Sequence, residues 1–191
     1  MIDILTLTYA KVALVDRISK CSSDEIKFNM IKGGSKRGAV VTRFNINETS
    51  FCFINAHLSS GKDHISHRLS DIKKIFKDGF QKDKLNQIKD VKVEQSDQIY
   101  LFGNLNFRLA LPDSNVRLVL EEYRQKLEKG DKKQAVHFLN QLLKTDQLMN
   151  LQTNKTPLYG FLEGTVTFPP TYKLVANSGE YVENHETTPA W

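Results

Sequence analysis

The stretch Ser50–Leu58, Ser-Phe-Cys-Phe-Ile-Asn-Ala-His-Leu, constrains the fold of this chain more than any other. Apolar side chains stand at both odd and even positions, and a strand built this way is covered on both faces. It therefore reads as a central strand of a layered domain. Just before it, "GAVVTRFNI" (Gly38–Ile46) follows a glycine-rich turn, and "INET" between the two reads as a hairpin turn. "KVALVDR" (Lys11–Arg17) alternates and predicts a further strand, and Ile99–Phe102 predicts the next buried one. Between them, Asp63–Phe76 predicts a helix with Ile65, Leu69, Ile72 and Phe76 on one stripe, entered through the turn Ser59-Ser60-Gly61. Lys77–Lys92 reads as a solvated excursion. Two amphipathic helices follow, separated by "EKGD". Asn115–Leu127 is expected to bury Val116, Val119, Leu120 and Tyr123, and Lys132–Leu143 to bury Val136, Leu139 and Leu143. The tail "GFLEGTVTFPPTYKLV" predicts one short strand and a Pro-Pro-Thr-Tyr-Lys turn. Strands interleaved with helices make an α/β domain.

The 191 residues suffice for one domain with a real core, and no repeat or Pro/Gly/Ser-rich linker marks a boundary. Lys and Arg outnumber Asp and Glu by 27 to 22. That excess suits anionic partners without selecting among phosphates, nucleic acid and anionic membrane. Cys21 and Cys52 lack the spacing of a disulfide framework or a zinc knuckle, which makes a reducing compartment the default. The opening "MIDILTLTYAKVALVDR" is interrupted by Lys11 and Asp16, and reads as a strand, neither a signal peptide nor a membrane span.

Four places combine residues that carry chemistry. His57 closes the central strand in Asn55-Ala56-His57-Leu58, a position where a structural histidine is the commoner case. The turn Gly103-Asn104-Leu105-Asn106-Phe107-Arg108 sits where α/β enzymes place functional groups, although asparagines there also serve turn backbone. "GGSKRGAV" sets Lys36 and Arg37 beside Gly33, Gly34 and Gly38, an arrangement equally suited to cradling a phosphate and to a plain basic turn. Tyr172 and Lys173 stand on the rigid "FPPTYK" turn. His64 and His67, three residues apart on a helix, lack a third ligand in sequence and read as surface residues; no metal site is assigned.

In order along the chain, "SKRGAVVTRF", "SFCFINAHLSSG", "RLSD", "IYLFGNLNFRL", "LLKTDQL", "GFLEGTVTFPPTYKL" and "TPAW" resemble consecutive motifs of the inositol polyphosphate 5-phosphatases, the group with a synaptojanin-like catalytic domain. The resemblance runs from about Lys11 to Trp191, and its most specific piece is Phe168–Lys173 after "GFLEG". It implies the endonuclease/exonuclease/phosphatase fold, a four-layer α/β/β/α sandwich. It also implies Mg²⁺-assisted removal of the 5-phosphate from inositol phosphates and phosphoinositide headgroups. By motif, His57 matches the family's active-site histidine and Asn106 the asparagine that helps hold the reacting phosphate. Asn55, Lys36, Arg37 and Arg108 fall among substrate-binding positions, and Tyr172 and Lys173 match the grip on the 4-phosphate.

This chain departs from the pattern at Asn104, where the family's G-D-L-N turn carries the aspartate implied to activate water. An amide can orient a water but does not accept its proton at neutral pH. The family's N-terminal strand, its Mg²⁺-ligating glutamate and its closing aspartate–histidine segment have no counterpart in the chain, so the sandwich is expected to be truncated at both ends and the Mg²⁺ ligands largely missing. His185-Glu186-Thr187-Thr188 replaces a basic run. Such a chain is a fragment or a degenerate copy, expected to turn over weakly or not at all. The alternative is a non-catalytic inositol-phosphate-binding module. A cytoplasmic location completes the expectation; peripheral contact with anionic membrane through the basic stretch Lys62–Lys92 belongs to that alternative, and a solvated face is the commoner role of such a stretch. A nucleic-acid substrate is discounted because it leaves "FPPTYK" without a role.

Overall fold

The hairpin predicted from the two apolar runs is the centre of a computed structural model that describes residues 4–28, 37–81, 91–152, 155–183 and 187–191. Strands β2 (Gly38–Ile46) and β3 (Thr49–His57) pair antiparallel from Ile46↔Thr49 to Gly38↔His57. Asn47, at φ 51°, turns the chain between them, a backbone region that Asn tolerates better than most residues. Strand β4 (Gln98–Asn104) lies parallel to β3 and is reached through helix α1 (Ile65–Asp78). Strand β1 (Ile18–Lys27) pairs with β2, so the sheet order is β1-β2-β3-β4.

Side-chain alternation sorts the sheet into two unlike faces. Val41, Cys52, Ile54 and Ala56 are fully buried together with Ile72 and Ile75 of α1. On the other face of the sheet, Phe44, Phe51, Phe53 and Tyr100 are half-buried to exposed. Phe44 stacks on Phe51 and Phe53 at 6.1 and 5.6 Å, and Phe53 on Tyr100 at 5.0 Å. The expectation that β3 is covered on both sides therefore holds for one face only. β4, expected to be buried, is instead an edge strand, with Tyr100 46% and Phe102 42% exposed. An apolar run reports that a strand can be covered, and its place in the sheet order decides whether it is.

Two elements near the start differ from expectation. Val12–Arg17 forms a 3₁₀ helix rather than a strand, and Val12 is 88% exposed. Its amides turn inward on the segment itself, with Leu14 N–H donating to the Lys11 carbonyl, while β1 takes the place beside β2. β1 carries Ser, Cys, Asp and Glu in place of an apolar run, and only its pairing with β2 makes it a strand. On α1 the buried positions are Arg68, Ile72 and Ile75, a stripe rotated from the expected one.

The contacts divide the chain into two compact units, Met1–Asn106 and Phe107–Trp191. The second is built on helices α2 (Asp113–Glu128) and α3 (Lys132–Leu143), followed by the short α4 (Gln147–Gln152). Asp131 caps α3 by accepting from Gln134 N–H at 3.1 Å. Leu109, Val116, Leu120 and Leu142 form the core, with Val119, Tyr181 and Trp191 packed on it. Val136, expected inside, is 51% exposed, because Ala135, Leu139 and Leu142 carry the inward stripe. The strand expected in the tail is absent among the described residues. Its place is taken by single bridges, Tyr172↔Ala190 and Leu174↔Tyr181. Among the described residues no helix is long and apolar enough to cross a membrane.

Candidate functional site

Strand register brings the first group of predicted residues to one end of the sheet. His57 pairs with Gly38 on one side and with Asn104 on the other, so the start of β2 and the ends of β3 and β4 form a row. Arg37 directly precedes Gly38 in that row. Asn55 lies two residues back, on the same face of β3 as His57. The Leu58 N–H donates to the Asn104 carbonyl at 3.0 Å, and Asn106 Nδ2 donates to the Leu58 carbonyl at 2.9 Å. Arg37 Nη2 donates to Ser60 Oγ at 2.7 Å. Asn55 Nδ2 donates to Thr6 Oγ1 at 3.2 Å and to the Leu5 carbonyl at 3.3 Å, so the N-terminal segment engages it. Lys36 lies outside the described residues.

The sharp turn that positions Asn104 and Asn106 depends on Gly103. Its φ is +118°, and an added Cβ would lie 2.3 Å from the Ala56 carbonyl oxygen and 2.7 Å from Asn55 Oδ1. Only glycine lets β4 approach β3 this closely at the point where the chain leaves the sheet. Asn106 itself adopts φ 57°, which frees its side chain to reach back to Leu58.

The loop after His57 is held by residues that motif reasoning left without a role. Arg68 is fully buried, and its guanidinium donates to the carbonyls of Ser59 (3.2 Å), Gly61 (2.6 Å) and Lys62 (3.3 Å). Asp71 Oδ2 accepts from both Ser59 N–H (2.9 Å) and Ser59 Oγ (2.7 Å). The available signal was an arginine inside an otherwise apolar helix stripe.

The second group lies within Phe107–Trp191. The Arg108 guanidinium stands 4.1 Å from the centroid of the Tyr172 ring, a cation–π contact. Arg108 N–H donates to Gln147 Oε1, and Gln147 N–H donates back to the Arg108 carbonyl, each at 3.0 Å. Tyr172 and Ala190 exchange backbone hydrogen bonds at 2.9 and 3.0 Å, and Val182 N–H donates to the Lys173 carbonyl at 2.9 Å. Trp191 Nε1 donates to the Phe168 carbonyl at 2.8 Å, so the "PAW" residues anchor the "FPPTYK" turn. Lys173 is exposed. Two carboxyls of this unit, Asp146 and Glu163, are raised above their usual range; burial raises both, and the charge of Asp146 adds to the effect on Glu163. His185 and Glu186 lie outside the described residues.

Mg²⁺ in particular does not suit the strand-end group. Mg²⁺ takes carboxylate oxygens and water, whereas His57, Asn55, Asn104 and Asn106 offer one imidazole and neutral amides. Among the described residues no three or more His, Cys, Asp or Glu side chains converge as a metal site. His64 and His67, read as surface residues, are both exposed, with ring centroids 4.9 Å apart, and His64 Nδ1 donates to the Ser60 carbonyl at 2.7 Å.

Comparison with known proteins shows which family shares this fold. The chain is 30% identical to polyphosphatidylinositol phosphatase INP53 of Saccharomyces cerevisiae over all of its length and 16% of that protein's. It is 32% identical to type IV inositol polyphosphate 5-phosphatase 9 of Arabidopsis thaliana, covering 81% of this chain and 36% of that one. With human synaptojanin-1 the identity is 28%, over 88% of this chain and 10% of the other. The chain thus spans well under half the length of these relatives. Among solved structures, it superposes on the inositol polyphosphate 5-phosphatase domain of SPsynaptojanin, in complex with inositol (1,4)-bisphosphate and calcium ion, with a TM-score of 0.72 and 25% identity. That match covers 94% of this chain and 46% of the other. A Cimex nitrophorin shares the fold alone, at 22% identity and a TM-score of 0.60 over 93% of this chain and 52% of that one. The α/β fold class expected from the motifs is the one observed. Residues 1–191 match throughout, and the chain belongs to the endonuclease/exonuclease/phosphatase family 2.

Proposed function

We propose that this chain is a relative of the phosphoinositide 5-phosphatases that recognises inositol phosphate headgroups and turns them over weakly, if at all. The observation that carries the reading is Asn104. It stands in register with His57 at the end of β4, where the family pattern implies a proton acceptor. Hydrolysis of a phosphate monoester needs a water oriented in line, its proton removed, and the charge on the phosphoryl oxygens offset. Asn104 and Asn106 supply oriented amides and Arg37 a cation. None of these three takes a proton. Loss of a positioned general base typically lowers the rate by ~10²–10⁴-fold, about 3–5 kcal/mol of barrier. The neutral donor set adds a second deficit, because it does not suit the Mg²⁺ that the motif resemblance implies.

Recognition is better provided for than chemistry. Arg108 stacked on Tyr172, with Lys173 exposed beside it, presents two cations and an aromatic face suited to a phosphorylated inositol ring. This favours the non-catalytic binding module as the second reading. In either case the ligand is an inositol phosphate or a phosphoinositide headgroup met at the cytosolic face of a membrane. The test is phosphate release from a soluble inositol trisphosphate in Mg²⁺ buffer, alongside calorimetric binding of inositol 1,4-bisphosphate. Trace release with measurable binding is expected, and Lys173→Ala should weaken binding in a salt-sensitive way. Brisk release by the purified chain overturns the role given to Asn104, and unaltered binding by the Lys173 variant removes the headgroup assignment.

A further inference from the structure

The loop Leu58–Lys62 connects the strand-end residues. It follows His57 directly, it exchanges hydrogen bonds with Asn104 and Asn106 through Leu58, and it meets Arg37 through Ser60. Whatever fixes this loop fixes the relative placement of these groups. Two side chains on successive turns of α1 do so. Arg68 and Asp71, three residues apart and so on one face of the helix, make five hydrogen bonds to Ser59, Gly61 and Lys62. A packing role alone would be served by an aliphatic residue, as it is at Ile72 and Ile75 of the same stripe. Instead the stripe carries a fully buried guanidinium whose Nη1 and Nη2 donate to three carbonyls of this loop. The loop in turn admits a single path at Gly61, where φ is +102° and an added Cβ would lie 2.6 Å from His64 Nδ1.

We propose that Arg68 and Asp71 are positioning residues for the headgroup site. They clamp the loop from beneath, so that Asn106 and Arg37 are held ready before a phosphate arrives and need not be ordered by it. Neither residue touches the ligand. The proposal rests on the functional reading above for what the site binds, although its structural half stands apart from that reading.

The experiment uses the full chain with Arg68→Lys, which keeps the charge and loses the fork, and Asp71→Asn, which keeps the shape and weakens the acceptor. Two quantities are read: the NMR resonances of the Asn106 side-chain amide and Arg37 Nε, and the Kd for inositol 1,4-bisphosphate. Both variants should keep the far-UV dichroism of the parent and leave the resonances of Asn45, at the opposite end of β2, in place. The Asn106 and Arg37 resonances should shift, and binding should weaken about tenfold or more, as when a supporting residue of a binding site is lost. Parent-like resonances and Kd in both variants overturn the proposal. So does global unfolding of both, because the pair would then be holding the fold and not the loop. If the parent itself fails to bind the bisphosphate, the functional reading falls, while the resonances still decide whether Arg68 and Asp71 set the loop.

Discussion

Replacing Gly103 by alanine tests the link between strand packing and the strand-end site. The new methyl group would sit 2.3 Å from the Ala56 carbonyl oxygen, 2.7 Å from Asn55 Oδ1 and 2.9 Å from the Ala56 amide nitrogen. The Asn55 side chain can swing away, but Ala56 cannot. It is fully buried and pairs with Ala39 on one side and Gly103 on the other, so moving it breaks two strand pairings at once. The φ of +118° adds a second penalty, since side chains rarely adopt that conformation. Backbone strain of this kind costs about 1–3 kcal/mol. Gly103 is itself exposed, so the further cost comes from the overlap with the Ala56 backbone and is that of an overfilled site, about 1–3 kcal/mol more. The expected loss is therefore about 2–6 kcal/mol, a large share of a typical domain's total. In urea, with a slope of about 2 kcal/mol per molar, the midpoint should fall by roughly 1–3 M. Far-UV dichroism follows the transition, and amide exchange at Leu58, whose N–H is bonded to Asn104, should accelerate with it. A midpoint within about 0.3 M of the parent, with Leu58 still protected, would refute the argument that this turn admits glycine alone.

Three further outcomes are expected. Cys21 is exposed, whereas Cys52 is fully buried with its thiol pushed up to about 11 by burial, so a thiol reagent at neutral pH should label one cysteine per native chain and the second only on unfolding. The Asp97 carboxyl is held below its usual range by hydrogen bonds from the Ser50 hydroxyl and amide. Its folded pKa is the lower one, so its stabilising contribution is complete above the unfolded value and is lost as pH falls through the folded value; Ser50→Ala should flatten the acid limb of a stability–pH curve. Leu142→Ala, at a fully buried core position of the second unit, should cost about 2–5 kcal/mol. Val136→Ala, half-exposed on the same helix, should stay within about 0.5 kcal/mol; Trp191 fluorescence reads both, and equal losses would show that the inward face of α3 is misassigned.

Elements whose physics is local were legible in the sequence. Apolar runs on either side of a hairpin turn set β2 and β3, and α3 runs over the predicted Lys132–Leu143 because its Asp cap and its glycine lie next to it in the chain. The order of motifs singled out His57, Asn104, Asn106 and the Tyr172–Lys173 turn as candidates, and strand register sets His57 beside Asn104. Tertiary structure alone decided what depends on partners far away in sequence. The polar run Ile18–Lys27 became a strand because β2 offered it hydrogen bonds, while the apolar Val12–Arg17 did not. The strand at Ile99–Phe102 became an edge because of its place in the sheet. Arg68, which sequence periodicity sets beside apolar neighbours, found three carbonyls in the loop behind His57. Periodicity says which side chains share a face. Only the folded chain says what that face meets, because the free energy of burying it, or of pairing a polar group on it, comes from atoms elsewhere in the sequence.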